Sequence, residues 1–164
     1  MAANRNNYSY SFNELIKDCL VISQACYMDD PMSYLNLNPR RFFDISVHEG
    51  RGKYILGYAR DVFPSSDGNR RYVVCAIRGS VNKGDWVKNA SALPAFASDE
   101  NQIHGGWYDR SNEIHDTIMS KIRQGFIPIF TGHSLGGAVA RILLYRYITS
   151  LEDDESMFAK HFSI

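Results

Sequence analysis

The sequence predicts an α/β fold in which helices flank a partial, mostly parallel sheet. The second half of the chain has a strand, helix, strand, helix order, which implies parallel strands joined by right-handed crossovers. Its first strand, residues 72–77, is a continuous apolar run between polar residues, as expected for a strand that is buried on both faces. Antiparallel strands are expected only in the first half, where short apolar runs follow one another closely.

The first half begins with an amphipathic helix, which we predict over residues 9–27. Its apolar stripe consists of Leu15, Cys19, Ile22 and Cys26. Pro31 should stop it, because the residue before a proline is disfavoured in the helical conformation. Then follow a predicted loop at 36–41, strands at 42–48 and 53–60 that form a hairpin, and a turn at 64–69.

The second half contains two further helices. The first is predicted over residues 106–123, with Gly125 as its C-terminal cap and an apolar side made of Trp107, Ile114, Ile118 and Ile122. A short apolar strand follows at 126–131. The second helix is predicted over residues 135–148, and its apolar side contains Leu135, Val139, Ile142 and Leu143.

The composition indicates one globular domain over residues 1–164. The 18 basic and 18 acidic residues cancel, which argues against a nucleic-acid partner and favours an uncharged substrate. No apolar run is long enough for a transmembrane segment, and the first residues lack a signal-peptide pattern, so a cytoplasmic location is expected. The cysteines Cys19, Cys26 and Cys75 have neither disulfide nor zinc spacing, and we expect buried thiols.

One motif carries chemistry: Gly132-His133-Ser134-Leu135-Gly136 lies between the predicted strand and the predicted last helix. A serine on such a strand-to-helix turn projects its hydroxyl above the sheet, and the crowded turn admits only glycine two residues away on each side. The alternative is an ordinary glycine-rich turn, which the strand before and the helix after disfavour. The motif therefore predicts a nucleophile elbow with Ser134 as the nucleophile.

With this motif the chain resembles the class 3 lipases, which have an α/β-hydrolase fold. Four segments carry the resemblance in the family's order: Tyr72-Val-Val-Cys-Ala-Ile-Arg-Gly-Ser80, Asp85-Trp86, His104-Gly-Gly-Trp-Tyr108 and Thr131-Gly-His-Ser-Leu-Gly-Gly-Ala-Val-Ala140. They span about residues 72–147. The resemblance implies hydrolysis of lipid esters, with no metal and no organic cofactor.

The resemblance also implies roles for single residues. Ser134 would be the nucleophile, and the backbone N–H groups of Ser80 and Leu135 would form the oxyanion hole. Gly132, His133 and Gly136 would complete the elbow. Ser80 has an alternative role as a helix cap or turn former, and Arg78 is either part of an ion pair under the site or a surface arginine.

Residues 81–103 correspond to the lid of the family. Trp86, Leu93, Pro94 and Phe96 would give this lid an apolar face that meets a lipid interface on opening. The same residues would also pack on the body of the protein in a closed lid, and the sequence does not separate the two. Neither His104, which matches a structural position, nor His133, which precedes the nucleophile, is expected to be the catalytic base.

A catalytic triad needs an acid and a histidine after the nucleophile, and only 30 residues follow Ser134. The available groups are Glu152, Asp153, Asp154, Glu155 and His161. A helix of about 24 Å would carry them away from the site, so we expect the acid and the base beyond this chain. The run at 152–155 is expected to be a solvated loop rather than a metal site.

Three functional hypotheses follow. The first is a serine hydrolase of carboxylic esters, with acylglycerol lipids as substrates and an acyl-serine intermediate. The second is a lipase-like binding or signalling module without turnover, and the third is an inactive fragment of a lipase-like domain. Transient contact of the lid with a lipid surface is expected under the first hypothesis.

Overall fold

The computed structural model describes residues 12–36, 42–50, 52–59, 63–65, 68–80, 94–98 and 101–153. Its helices are α1 (Phe12–Ala25), α2 (Pro31–Asn36), α3 (Gly105–Lys121) and α4 (Leu135–Asp153). Its strands are β1 (Phe42–His48), β2 (Tyr54–Ala59), β3 (Phe63–Ser65), β4 (Gly68–Ile77), β5 (Pro94–Ser98), β6 (Asn101–His104) and β7 (Phe126–Gly132).

The main sheet is mixed. Strands β1 and β2, β2 and β4, and β3 and β4 pair antiparallel, whereas β7 pairs with β4 in parallel. The prediction of a mostly parallel sheet is therefore wrong for the described strands. The reason is that only β4 and β7 are joined through a helix, while β1 to β4 follow one another without one.

Helices cover both faces of this sheet, so the described chain forms three layers. Helices α1 and α2 pack on one face, where the buried residues are Ile22, Ala25, Cys26, Leu35, Phe42, Ile55, Ala59, Tyr72, Val74 and Ala76. Helices α3 and α4 pack on the other face, where the buried residues include Leu56, Val73, Ile77, Ile114, Ile118, Val139 and Leu143. Every residue at 72–77 is buried, as predicted for a strand covered on both sides.

The sequence predicted most of these elements, and their differences from the structure have local causes. Helix α2 was not predicted; it begins at Pro31, whose fixed φ suits a first helical position. Asp30 caps it, because its Oδ1 accepts the N–H of Ser33 at 3.0 Å. Gly125 was predicted as the C-terminal cap of the helix before it, but α3 ends at Lys121. With a φ of 78°, Gly125 instead belongs to a separate turn, in which Phe126 N donates to Arg123 O at 3.2 Å.

The predicted lid lies partly outside the described residues, which exclude 81–93 and 99–100. Its described part is a hairpin of β5 and β6, in which Pro94 pairs with His104. The mixed composition of this segment gave no strand prediction. No helix in the described ranges is long and apolar enough to cross a membrane.

Candidate active site

The parallel pairing of β4 and β7 brings two segments together at one edge of the sheet. Ile77, the last residue of β4, pairs with Gly132, the last residue of β7. Residues 78–80 and residues 133–134 therefore leave the sheet side by side at its carboxyl edge. In α/β sheets this edge is where ligands bind.

Ser134 adopts a left-handed backbone conformation with a φ of 56°, and no other non-glycine residue in the described ranges has a positive φ. Such a conformation is sparsely populated for residues with a Cβ and persists where the surrounding structure enforces it. Hydrogen bonds from Gly136 N to His133 O (3.0 Å) and from Gly137 N to Ser134 O (2.9 Å) close the turn. Ser134 thus occupies the sharp strand-to-helix turn that the motif predicts.

The glycines of the motif are required by backbone contacts. A Cβ atom added at Gly136 would collide with the carbonyl oxygen of Ile77, and one added at Gly132 would collide with the backbone of Gly136. A Cβ atom at Gly79 would lie 2.6 Å from the carbonyl oxygen of His133. The end of β4 and the elbow therefore touch backbone to backbone, with room for hydrogen atoms only.

Leu135 is the first residue of α4 and is buried. The N–H groups of a first helical turn have no acceptor within their own helix, and the helix dipole favours negative charge at this end. Ser80 is partly buried in the irregular segment after β4, next to Gly79, which touches the elbow. Both residues that the sequence assigns to the oxyanion hole thus belong to the two segments that meet at the elbow.

Both backbone polar groups of Arg78, its N–H and its carbonyl, are hydrogen-bonded. Its N–H donates to the carbonyl of Lys53 at 3.0 Å, and its carbonyl accepts from Nη2 of Arg110 at 2.9 Å. Lys53 is itself buried, and its Nζ contacts Met28 O at 3.0 Å and Glu49 Oε1 at 2.9 Å. Among the described residues Arg78 makes no ion pair, and the ion pair considered from the sequence stays a prediction.

Tyr27 also belongs to this edge, and no pattern in the sequence indicated it. Its hydroxyl oxygen accepts the N–H of Gly79 at 3.0 Å and donates to the carbonyl of His133 at 3.2 Å. The His133 ring packs edge-on against Tyr27, with its Nδ1 at 3.5 Å from the hydroxyl. No local signal exists for these contacts, because Tyr27 is 52 residues from Gly79 and 106 from His133.

The C-terminal end of α1 and the turn after it are hydrogen-bonded to β7 and β4. Ser23 Oγ lies 3.2 Å from Thr131 Oγ1 in β7, and the Cys26 thiol donates to Ala76 O in β4 at 3.4 Å. These contacts fix the position of the turn that carries Tyr27.

The three cysteines are free thiols, and Cys26 and Cys75 are buried as predicted, whereas Cys19 is only partly buried. Burial raises the pKa of Cys26 to about 12 and that of Cys19 to about 11. Burial also raises the pKa of Cys75 well above its ordinary value. These thiols are protonated at neutral pH and are poor nucleophiles.

The residues considered as triad partners lie at or beyond the end of the described chain. Glu152 and Asp153 belong to the last turn of α4, and Asp154, Glu155 and His161 lie outside the described residues. Helix α4 is longer than predicted and includes the first half of the acidic run that was expected to be a loop. In the described ranges no group of three or more His, Cys, Asp or Glu side chains is arranged to hold a metal ion.

Comparison with known proteins defines the class of this chain. The family described as Lipase (class 3) matches residues 74–160, which include the end of β4, the elbow and α4. The chain therefore belongs to the class 3 lipase family, as the sequence motifs predicted. This membership implies an α/β-hydrolase fold, with which the mixed sheet and its flanking helices are consistent.

Among characterised proteins, the chain is similar to the secreted mono- and diacylglycerol lipase 1 of Fusarium solani. The two are 28% identical over 92 residues, which is 49% of this chain and 26% of the fungal protein. The match thus covers about a quarter of that relative's length. No solved structure matches the chain.

Proposed function

We propose that this chain carries the nucleophile of a serine hydrolase that cleaves carboxylic esters of acylglycerol lipids. The observation that supports this most strongly is the left-handed conformation of Ser134 between β7 and α4. Backbone strain of this kind is retained at functional sites, and here three glycines without room for a Cβ maintain it. Membership of the class 3 lipases supports an ester hydrolase in general.

The proposed chemistry begins with attack of the Ser134 hydroxyl oxygen on the ester carbonyl carbon, while a general base takes the hydroxyl proton. The resulting oxyanion accepts hydrogen bonds from the N–H groups of Leu135 and Ser80. Collapse of the tetrahedral intermediate expels the alcohol, which takes up the proton, and leaves an acyl-serine ester. Water then hydrolyses that ester through the same steps. We assign the acid and the base to residues outside those described.

The substrate class is proposed from the relative and from the charge of the chain. The similar fungal protein is named as a mono- and diacylglycerol lipase, and the zero net charge of this chain suits an uncharged glyceride. The segment 81–103 is proposed as a lid that contacts the lipid surface during the reaction.

The competing proposal is a lipase-like module in which the elbow persists as a structural element without turnover. A turnover assay on the protein produced from its complete gene separates the two. We expect hydrolysis of emulsified monoacyl- and diacylglycerols that Ser134→Ala abolishes. Ser120→Ala is the control, because Ser120 is an exposed serine of α3 whose hydroxyl, among the described residues, bonds to Thr117 O in its own helix turn. Folded protein that hydrolyses neither these lipids nor a short-chain nitrophenyl ester would favour the inactive module.

A further inference from the structure

We infer that Tyr27 is a positioning residue of the Ser134 site, whose hydroxyl holds the segment carrying Ser80 in register with the nucleophile elbow. This inference rests on the proposed function, because it concerns the geometry of that reaction. Tyr27 itself lies in the turn after α1, on a different element from either segment that it joins.

The direction of both hydrogen bonds is fixed by the chemistry of the partners. The carbonyl of His133 has no proton and must accept, so the Tyr27 hydroxyl donates to it. The backbone N–H of Gly79 must donate, so the same hydroxyl oxygen accepts from it. One hydroxyl therefore links the two segments through its donor and its acceptor at the same time.

Each of these two hydrogen bonds is made by the residue that precedes a proposed reacting group. Gly79 precedes Ser80, whose N–H is a proposed oxyanion donor, and His133 precedes the nucleophile Ser134. The peptide group between Arg78 and Gly79 is held at both of its polar atoms, since Arg110 binds its carbonyl at 2.9 Å and Tyr27 binds its N–H at 3.0 Å. This peptide group cannot rotate without breaking one of the two bonds.

The structure leaves a defined space for the Tyr27 hydroxyl. A Cβ atom at Gly79 would lie 2.5 Å from that oxygen, so glycine at this position makes room for it. The turn that carries Tyr27 is held by the bonds of Ser23 to β7 and Cys26 to β4. The hydroxyl is thus placed by contacts that do not involve the reacting groups themselves.

Positioning matters here because an oxyanion hole acts only through donors at 2.7–3.1 Å from the developing charge. Loss of the hydroxyl would free the Arg78–Gly79 peptide on one side and would remove one of the two hydrogen bonds that the His133 carbonyl accepts. The donor at Ser80 would then move relative to Ser134. The elbow itself would remain closed, because its own backbone bonds do not involve Tyr27.

The test compares Tyr27→Phe with Tyr58→Phe. Each variant removes one hydroxyl and keeps the ring; the Tyr58 hydroxyl donates to Lys121 O, far from the carboxyl edge of the sheet. Two quantities are measured on the protein produced from its complete gene: the second-order rate of labelling by a fluorophosphonate probe, and the hydrogen exchange of the Gly79 amide. We expect Tyr27→Phe to slow labelling about tenfold and to speed Gly79 exchange about tenfold.

We expect Tyr58→Phe to change either quantity less than twofold. In substrate hydrolysis Tyr27→Phe should lower kcat and leave KM unchanged, since the lost contact serves the transition state. If Tyr27→Phe leaves the exchange of the Gly79 amide unaltered, the Tyr27 hydroxyl does not hold this amide and the inference is overturned. If a folded Tyr27→Phe protein is labelled as fast as wild type, the role of Tyr27 in positioning is overturned. Wild-type protein that is not labelled would overturn the proposed function, and the positioning role of Tyr27 with it. The exchange of the Gly79 amide would still show whether the Tyr27 hydroxyl holds the Gly79 N–H.

Discussion

Gly136, in the first turn of α4, lies directly against the carbonyl oxygen of Ile77 at the end of β4. This contact joins the helix that follows the nucleophile to the strand that leads to Ser80. It leaves no space for a side chain, so the identity of residue 136 is set by the packing of two backbones. The same contact explains why a glycine is required two residues after the serine in this chain.

Replacement of Gly136 by alanine should therefore be severely destabilising. The added Cβ meets backbone, which cannot rotate away as a side chain can, and we expect a loss of at least about 3 kcal/mol in the free energy of unfolding. Chemical denaturation measures this loss. The control is Gly50→Ala, since a Cβ at Gly50 meets nothing within 4 Å. Equal stabilities of the two variants would contradict the packing described here.

Gly125 allows the cost of a left-handed backbone conformation to be measured without a steric clash. Its φ is 78°, and a Cβ there also meets nothing within 4 Å. Gly125→Ala should cost about 1 kcal/mol, because an L-residue in the left-handed region strains its backbone. Gly125→Asn should cost less, since asparagine tolerates this conformation. Thermal unfolding would show the order, and an alanine variant as stable as wild type would refute it.

Arg110 should contribute to stability through its bond to the carbonyl of Arg78. Arg110→Ala should lower the free energy of unfolding by about 1–2 kcal/mol, because a charge-assisted hydrogen bond to a partly buried carbonyl is lost. Arg141→Ala, at an exposed position of α4, serves as the control and should change stability by less than about 0.5 kcal/mol. Urea unfolding of both variants measures the difference. A loss in Arg110→Ala no larger than in the control would show that this bond contributes nothing.

The raised pKa of Cys26 predicts a dependence of stability on pH. The folded-state pKa of about 12 exceeds the ordinary value of 9.0, so the neutral thiol is favoured by folding. Its contribution is complete below pH 9 and is lost as the pH rises from 9 toward 12. Unfolding by urea between pH 7 and 10.5 should show a steeper loss of stability for wild type than for Cys26→Ala. Parallel pH profiles would contradict the burial of this thiol.

Much of the fold could be predicted from the sequence because it depends on local patterns. The apolar spacing of Ile114, Ile118 and Ile122 predicted the buried side of α3, and the run at 72–77 predicted a strand covered on both faces. Helix α2 is only six residues long, too short for a periodic signal. The antiparallel pairing of β1 with β2 was predicted from the hairpin pattern, whereas the prediction of a mostly parallel sheet gave too much weight to the one parallel pair, β4 with β7.

The candidate site likewise has one part that could be predicted from local sequence and one part that could not. The elbow at Ser134 and its glycines are contiguous in sequence and could be recognised from a strand, a turn and a helix in succession. Tyr27 could not, because its two partners are distant in the chain and a tyrosine at a helix end has many ordinary uses. Its importance emerges only when α1 is packed across the ends of β4 and β7.

The central claim is that Ser134 is a nucleophile, and the most direct measurement is the site of covalent modification by a fluorophosphonate. The protein produced from its complete gene is treated with the probe, digested and analysed by mass spectrometry. We predict a single phosphonylated residue, Ser134, and no adduct in Ser134→Ala. An adduct on another serine with Ser134 unmodified, or no adduct on folded protein, would contradict the account.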